Sequence, residues 1–176
     1  MIETFFIRDF IVLEPYNYME IKMPGTIEQK LEDLGISLPN SPAPSANYIP
    51  FVITGSLVFI SGQISIEKGL LIEGKIGKEL NVDTGKRAAK ACALNLISHL
   101  KNACAGDLDR VIRVVKLGGF VNATSAFTDA PQVINGASDV FVEIFGETGR
   151  HARFAVSVAS LPSGAAVEID GIFEIA

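Results

Sequence analysis

The chain has 176 residues, 48% of them apolar, with a formal net charge of −5 and a sequence pI near 5.0. That is enough chain for one domain with a sizeable core, and the acidic balance lacks the basic footprint of a nucleic-acid binder. Its two cysteines, Cys92 and Cys104, sit at or near the ends of one helical segment, too far apart to bridge, so they read as free thiols in a reducing compartment.

No apolar run approaches the roughly 18 residues of a membrane span. The N-terminus has neither a basic-then-apolar signal nor the composition of a mitochondrial presequence, so a cytoplasmic location is expected. Residues 1–22 read as an N-terminal extension dispensable to the core, disordered or an extra edge strand, with Pro15 interrupting their apolar run.

Residues 23–47 carry a capping helix and a proline-rich connector. Thr26-Ile27-Glu28-Gln29 has the form of a capping box, in which the threonine oxygen accepts an N–H three residues on and Gln29 reaches back. Ile27, Leu31 and Leu34 make one stripe, Gly35 supplies a left-handed stop, and Pro39 to Asn47 is an extended connector.

The main domain is predicted over 48–176. Tyr48 to Thr54 and Leu57 to Gly62 form a hairpin about Gly55-Ser56, and the second strand, apolar on both faces, reads as central. Ser61-Gly62-Gln63 interrupts it with a glycine, the mark of a bulge or a close backbone approach. A short strand around Leu70–Ile72 follows the Lys68-Gly69 turn. A long helix runs from Val82 to about Ala103 and a strand from Val111 to Asn122, with Gly118-Gly119 as a bend or contact point. A second long helix runs from about Pro131 to Phe145.

Two runs of strand period flank Pro162-Ser163-Gly164-Ala165, so residues 150–161 and 166–172 are predicted to pair as a C-terminal hairpin. Side-chain alternation then places Phe154, Val156 and Val158 on the core face with Val167, Ile169 and Phe173. Arg153, Ala155, Ser157 and Ala159 share the other face with Glu168 and Asp170, where small side chains leave room beside a guanidinium. The order β-β-β-α-β-α-β-β implies an α+β fold, a mixed sheet with two helices on one face. The uncovered face, apolar in part, is expected to pack against other copies.

Other chemistry is thin. No His, Cys, Asp or Glu spacing suggests a metal site, no glycine-rich phosphate loop precedes a helix, and neither histidine is placed for nucleophilic catalysis with a cysteine or serine. His151 reads as a surface-loop histidine, His99 as structural, and Lys86-Arg87 with Lys90 as a solvated helix face. From the residues alone, the plain alternative for Arg153 is a salt bridge with Glu168, Asp170 or Glu174.

The run Ala152-Arg153-Phe154-Ala155-Val156-Ser157-Val158-Ala159-Ser160-Leu161-Pro162, followed by Val167-Glu168-Ile169-Asp170, resembles the C-terminal signature of the Rid family (reactive intermediate deaminases, also called YjgF-like or endoribonuclease L-PSP proteins). Ser61-Gly62-Gln63, Val121-Asn122, Ile134-Asn135-Gly136-Ala137 and Asn47-Tyr48-Ile49 fall where that family has matching segments. The likeness is greatest to a subgroup with an extra N-terminal helix and mostly unassigned function.

The resemblance implies a chorismate-mutase-like fold and a homotrimer with clefts between subunits, working without metal or cofactor. Arg153 would grip the carboxylate of a 2-imino or enamine acid, since a guanidinium offers two parallel donors to two oxygens. Glu168 would hold the water that adds to the imine carbon, giving a 2-keto acid and ammonia. Tyr48 and Asn135 would line or support the cleft, the Gly62 backbone would approach the ligand, and Ala155 would supply a backbone carbonyl. Phe154-Ala155 replaces the family's usual Ser-Cys, with Phe154 expected to point to the core. A non-catalytic trimeric binder of small carboxylates is the alternative. RNA cleavage, attached to the family by name, is disfavoured by the acidic charge.

Overall fold

The structure is a computed structural model that describes residues 25–40 and 47–176. The predicted extension over 1–22 lies outside the described residues, as does most of the proline-rich connector.

Helix α1 (Thr26–Asp33) is followed by β1 (Phe51–Thr54) and β2 (Leu57–Ile64), then by the short pair β3 (Ile66–Glu67) and β4 (Leu70–Leu71). Next come α2 (Val82–Ala103), β5 (Val111–Asn122), α3 (Ala130–Phe145), β6 (Ala152–Val158) and β7 (Val167–Ile175). The main sheet has the order β1-β2-β7-β5-β6, and β3 with β4 forms a separate ribbon. Only β5 and β6 run parallel; every other neighbouring pair is antiparallel. This is the predicted α+β class, with α2 and α3 on one face of a mixed sheet.

Local chemistry accounts for the punctuation. Gly55 takes φ +58 in the β1–β2 turn, and Lys68 and Gly69 take φ +51 and +80 between β3 and β4, the twist a two-residue hairpin needs. The Asn81 side chain accepts from Thr84 N at 2.8 Å and opens α2. Ala88, Ala89, Cys92, Ala93, Leu96 and Leu100 are fully buried along it. Cys92 therefore lies mid-helix rather than at an end; it and Cys104 are free thiols. At Gly136 a Cβ would sit 2.2 Å from the Lys86 carbonyl oxygen, so a bare glycine lets the backbones of α2 and α3 touch.

Two expectations fail. The capping box does not form: Gly25 is the N-cap of α1 and no side chain of its own first turn caps it. The Asp109 carboxylate caps it from afar instead, accepting from Thr26 N at 2.7 Å and Ile27 N at 2.9 Å.

The C-terminal hairpin does not form either, because β5 lies between β6 and β7. β6 is reached from β5 through α3, and a strand-helix-strand crossover lays its second strand parallel beside the first. β7 buries Val167, Ile169, Gly171, Phe173 and Ile175 on one face along its whole length, which suits an interior strand, whereas β6 is partly exposed on both faces and takes the edge. Asn122, at the end of β5, holds the connection: its Nδ2 donates to Ala165 O at 3.1 Å, and Lys75 Nζ donates to Asn122 Oδ1 at 2.9 Å and to Ala159 O.

The new strand order also reverses the expected faces. Arg153 pairs with Leu117 and Ala155 with Gly119, putting both with Ser157 on the helix-covered side. Phe154 pairs with Gly118, which pairs in turn with Asp170, and Phe120 pairs with Glu168. Phe154 and Val156 are thus on the open face beside the two carboxylates, not in the core with Val167, Ile169 and Phe173.

Candidate functional site

Arg153 stands on the edge strand and reaches over α3. Asn135 and Ser138, three residues apart, face it from one side of that helix. One guanidinium nitrogen, Nη1, donates to Asn135 Oδ1 at 2.9 Å and to Ser138 Oγ at 2.9 Å. That uses both of its protons. Among the described residues nothing accepts from Nε or Nη2, and no carboxylate pairs with Arg153 within 4.0 Å, so the salt bridges to Glu168, Asp170 or Glu174 do not form. Nε–H and Nη2–H lie along one edge of the guanidinium plane, two parallel donors spaced for the oxygens of a carboxylate. Small neighbours keep that region shallow, since Ala155 shares the face and Gly119 stands opposite it on β5.

Glu168 is built differently. It sits on the open face of β7, half-buried, with no hydrogen-bond donor among the described residues. Space for its carboxylate comes from Gly62, whose Cβ would lie 2.2 Å from Glu168 Oε1. The predicted bulge is there: the β2–β7 register shifts between Ile60 and Gln63. Gln63 Nε2 donates to the carbonyls of Ser61 at 3.0 Å and Gly62 at 3.3 Å, holding that kink. Burial, and then the neighbouring Asp170 charge, push the Glu168 carboxyl above its ordinary 4.5. Such a group is suited to taking and returning a proton. Asp170 rests over Gly118 in the same way, beside Phe154, whose ring meets Phe120 edge-on at 5.3 Å.

A single chain does not bring the predicted residues together. Arg153, Asn135 and Ala155 lie at the β6 edge, whereas Gly62 and Glu168 lie on the opposite face of the sheet. With two strand spacings and three residues between them, Arg153 and Glu168 have Cα atoms roughly 14 Å apart. Tyr48 is 46% exposed and leads into β1, at the far edge from β6.

Sequence reasoning missed two residues here. Ser138 was legible as the i+3 partner of Asn135 on a helix. His151, read as a surface-loop histidine, is half-buried, with Nε2 3.0 Å from Ser138 Oγ and Nδ1 2.6 Å from Gly149 O. His99 is buried, as expected. A cleft of about 400 Å³ elsewhere, lined by Glu28, Leu31, Ser98 and Lys101 among others, contains none of the predicted site residues. Among the described residues no three His, Cys, Asp or Glu side chains cluster as metal ligands, and no helix is long and apolar enough to cross a membrane.

Residues 28–169 match the family described as "YjgF/chorismate_mutase-like, putative endoribonuclease". The chain belongs to the YjgF/chorismate mutase-like family. Protein TCP17 of Trypanosoma cruzi is 46% identical over 159 residues, covering 89% of this chain and 99% of that one. A relative named 2-iminobutanoate/2-iminopropanoate deaminase, from Dermatophagoides farinae, is 30% identical over 142 residues, covering 80% of this chain and 94% of that one. The crystal structure of Atu1372 from Agrobacterium tumefaciens, a protein of unknown function, superposes with a TM-score of 0.80 at 46% identity, covering 85% of this chain and 92% of that one.

Proposed function

We propose that this chain hydrolyses reactive 2-imino and enamine acids of the 2-aminoacrylate type to 2-keto acids and ammonia. The observation that carries the reading is the unpartnered Nε/Nη2 edge of Arg153, a fixed pair of donors beside small side chains. The substrate carboxylate binds that edge. An enamine first tautomerises to the imine; water then adds to C2, its oxygen bonding to carbon while a proton goes to nitrogen. Collapse of the carbinolamine breaks the C–N bond, forms the ketone and releases ammonia. Glu168 takes the water's proton and returns it to the departing nitrogen, a role favoured by its raised pKa.

Since Arg153 and Glu168 stand on opposite faces of one sheet, the reading requires two copies for each site. A head-to-tail ring in which the β6 edge of one copy meets the β1–β2–β7 surface of the next supplies both, and a homotrimer is the ring we infer. On the next copy, Tyr48 and the Gly62 backbone then border the ligand opposite Asn135 and Ala155. Exposed Val52, Phe59 and Val156 on the open face support self-association, because water-exposed apolar groups gain by being covered. The relatives named as imine deaminases support the chemistry.

The test is to generate 2-aminoacrylate or a 2-imino acid with an amino-acid oxidase and follow keto-acid release. The wild type is expected to accelerate it and Arg153→Ala to lose that acceleration; equal rates for the two overturn the reading. Arg153-dependent binding of pyruvate without turnover instead establishes the non-catalytic carboxylate binder, a reading the Phe154-Ala155 replacement favours.

A further inference from the structure

Three groups beyond Arg153 form one hydrogen-bonded line. Arg153 Nη1 is 2.9 Å from Ser138 Oγ, Ser138 Oγ is 3.0 Å from His151 Nε2, and His151 Nδ1 is 2.6 Å from Gly149 O. Both ends have fixed polarity, because a guanidinium only donates and a carbonyl only accepts. With a neutral imidazole, which carries one proton, every link between them then has one direction. Arg153 donates to the Ser138 oxygen, the Ser138 hydroxyl donates to His151 Nε2, and His151 carries its single proton on Nδ1 and donates it to Gly149 O. We propose that Ser138 and His151 form a positioning relay that fixes the direction of the carboxylate-binding edge of Arg153, an inference that rests on the role given to Arg153 above.

The far end of the line is anchored to the helix that begins it. A Cβ at Gly149 would lie 2.2 Å from Phe141 O, so that turn is pressed on the α3 backbone, and the Phe141 ring meets the His151 ring edge-on at 6.0 Å. Asn135, Ser138 and Phe141 recur every three residues of α3 and present one surface to Arg153 and His151. An arginine side chain left alone samples many rotamers, and ordering it on binding subtracts from the affinity it could provide. Two acceptors on Nη1 fix the plane of the guanidinium before ligand arrives. Asn135 supplies one. The other, a serine hydroxyl, can rotate, and His151 holds its lone pairs toward Arg153 by taking its proton. Burial holds the His151 imidazole below its ordinary pKa of 6.5, the Gly149 bond opposing and the Arg153 charge adding to the shift. The neutral form the relay needs is thus the form present at neutral pH.

The experiment is a calorimetric titration of the full chain with pyruvate near pH 7.5, with melting curves to show that each variant is folded. Ser138→Ala and His151→Leu are expected to weaken pyruvate binding roughly three- to tenfold, the worth of one buried hydrogen bond. Ser138→Thr and His151→Gln, which keep the hydroxyl and the acceptor, are expected to restore most of it. Nitrogen NMR of the imidazole should find the His151 proton on Nδ1, held by Gly149 O, in both the wild type and Ser138→Ala, with the bare Nε2 resonance moving in Ser138→Ala as it loses its donor. If Arg153→Ala abolishes binding while Ser138→Ala and His151→Leu bind as the wild type does, the relay is overturned and the role of Arg153 stands. If Arg153→Ala binds pyruvate normally, the role of Arg153 falls and takes the relay with it. A wild-type His151 protonated on Nε2 overturns the relay whatever the affinities.

Discussion

The surroundings of Arg153 and of Glu168 are built on opposite plans. Arg153 is anchored within its own chain, with one guanidinium nitrogen satisfied twice by α3 and the remaining edge left clear. Glu168 has a hollow made for it by Gly62 and a half-buried carboxylate, but no donor among the described residues. The Glu168 carboxylate is only half-buried, so water can serve it in a single chain. In the proposed ring the β6 edge of one copy brings the ligand grip and the β2–β7 surface of the next brings the carboxylate.

The sharpest way to break that contrast is a mixing experiment. Arg153→Ala and Glu168→Gln chains are each expected to be inactive. Dissociated together and reassembled at equal proportions, they would form, on the proposed trimer, mixed rings that each hold one competent site, with Arg153 from one copy and Glu168 from its neighbour. Three quarters of the trimers are mixed, so recovery of roughly a quarter of the wild-type rate is expected. No recovery means that both residues must come from one chain, which their opposite faces argue against; a Glu168→Gln chain active by itself means that Glu168 takes no part.

How much of this was legible in the sequence depends on the range of the interaction that decides it. Elements fixed by neighbours a few residues away were readable: the Gly55-Ser56 turn, the bulge at Gly62, and α2 from Val82 to Ala103 with its apolar stripe. Local rules failed where a distant group competed. The apparent capping box of Thr26 and Gln29 lost to Asp109, more than 80 residues away. The strand runs of β6 and β7 were correctly seen as strands, but period-2 alternation does not say which strand is the neighbour. The parallel crossover through α3 placed β5 between them and moved Phe154 to the other face. Of the site, Arg153 and Asn135 were both readable and do meet. The role of His151 was hidden because it depends on Gly149 and Ser138 converging from two elements, which no spacing in the chain displays.

The two halves should also respond oppositely to pH. Burial and Asp170 raise the Glu168 carboxyl above 4.5, so the folded chain holds that proton more tightly than the unfolded one does. Its contribution to stability is present below 4.5 and is lost as pH rises through the folded value. His151, held below 6.5 chiefly by burial, has the reverse sign: its contribution is present above 6.5 and is lost as pH falls toward its folded value. His99, also pushed down by burial, adds to that acid limb. Melting temperature measured against pH should therefore rise at neutral pH in Glu168→Gln, while His151→Gln flattens the fall below pH 6.5 only in part, His99 accounting for the remainder. An acid limb unchanged in His151→Gln would mean that the histidine is not desolvated in solution.

The smallest effect expected is a control lying outside both halves. Asp109 holds the first two amides of α1 at 2.7 and 2.9 Å, a charged cap supplied from the turn before β5. Removing an N-cap carboxylate costs about 1 kcal/mol, somewhat more where the charge also meets the helix dipole. Asp109→Ala should lower stability by about that amount and raise amide exchange across Thr26–Asp33. Leu31, 5% exposed, still ties the helix to the core, so α1 should loosen rather than detach. Pyruvate binding should be unchanged, since neither side chain that bonds Arg153 belongs to α1. A loss of binding in Asp109→Ala would show that α1 helps to shape the ligand site, and the contrast between a self-sufficient arginine and a dependent glutamate would then have to include a third element.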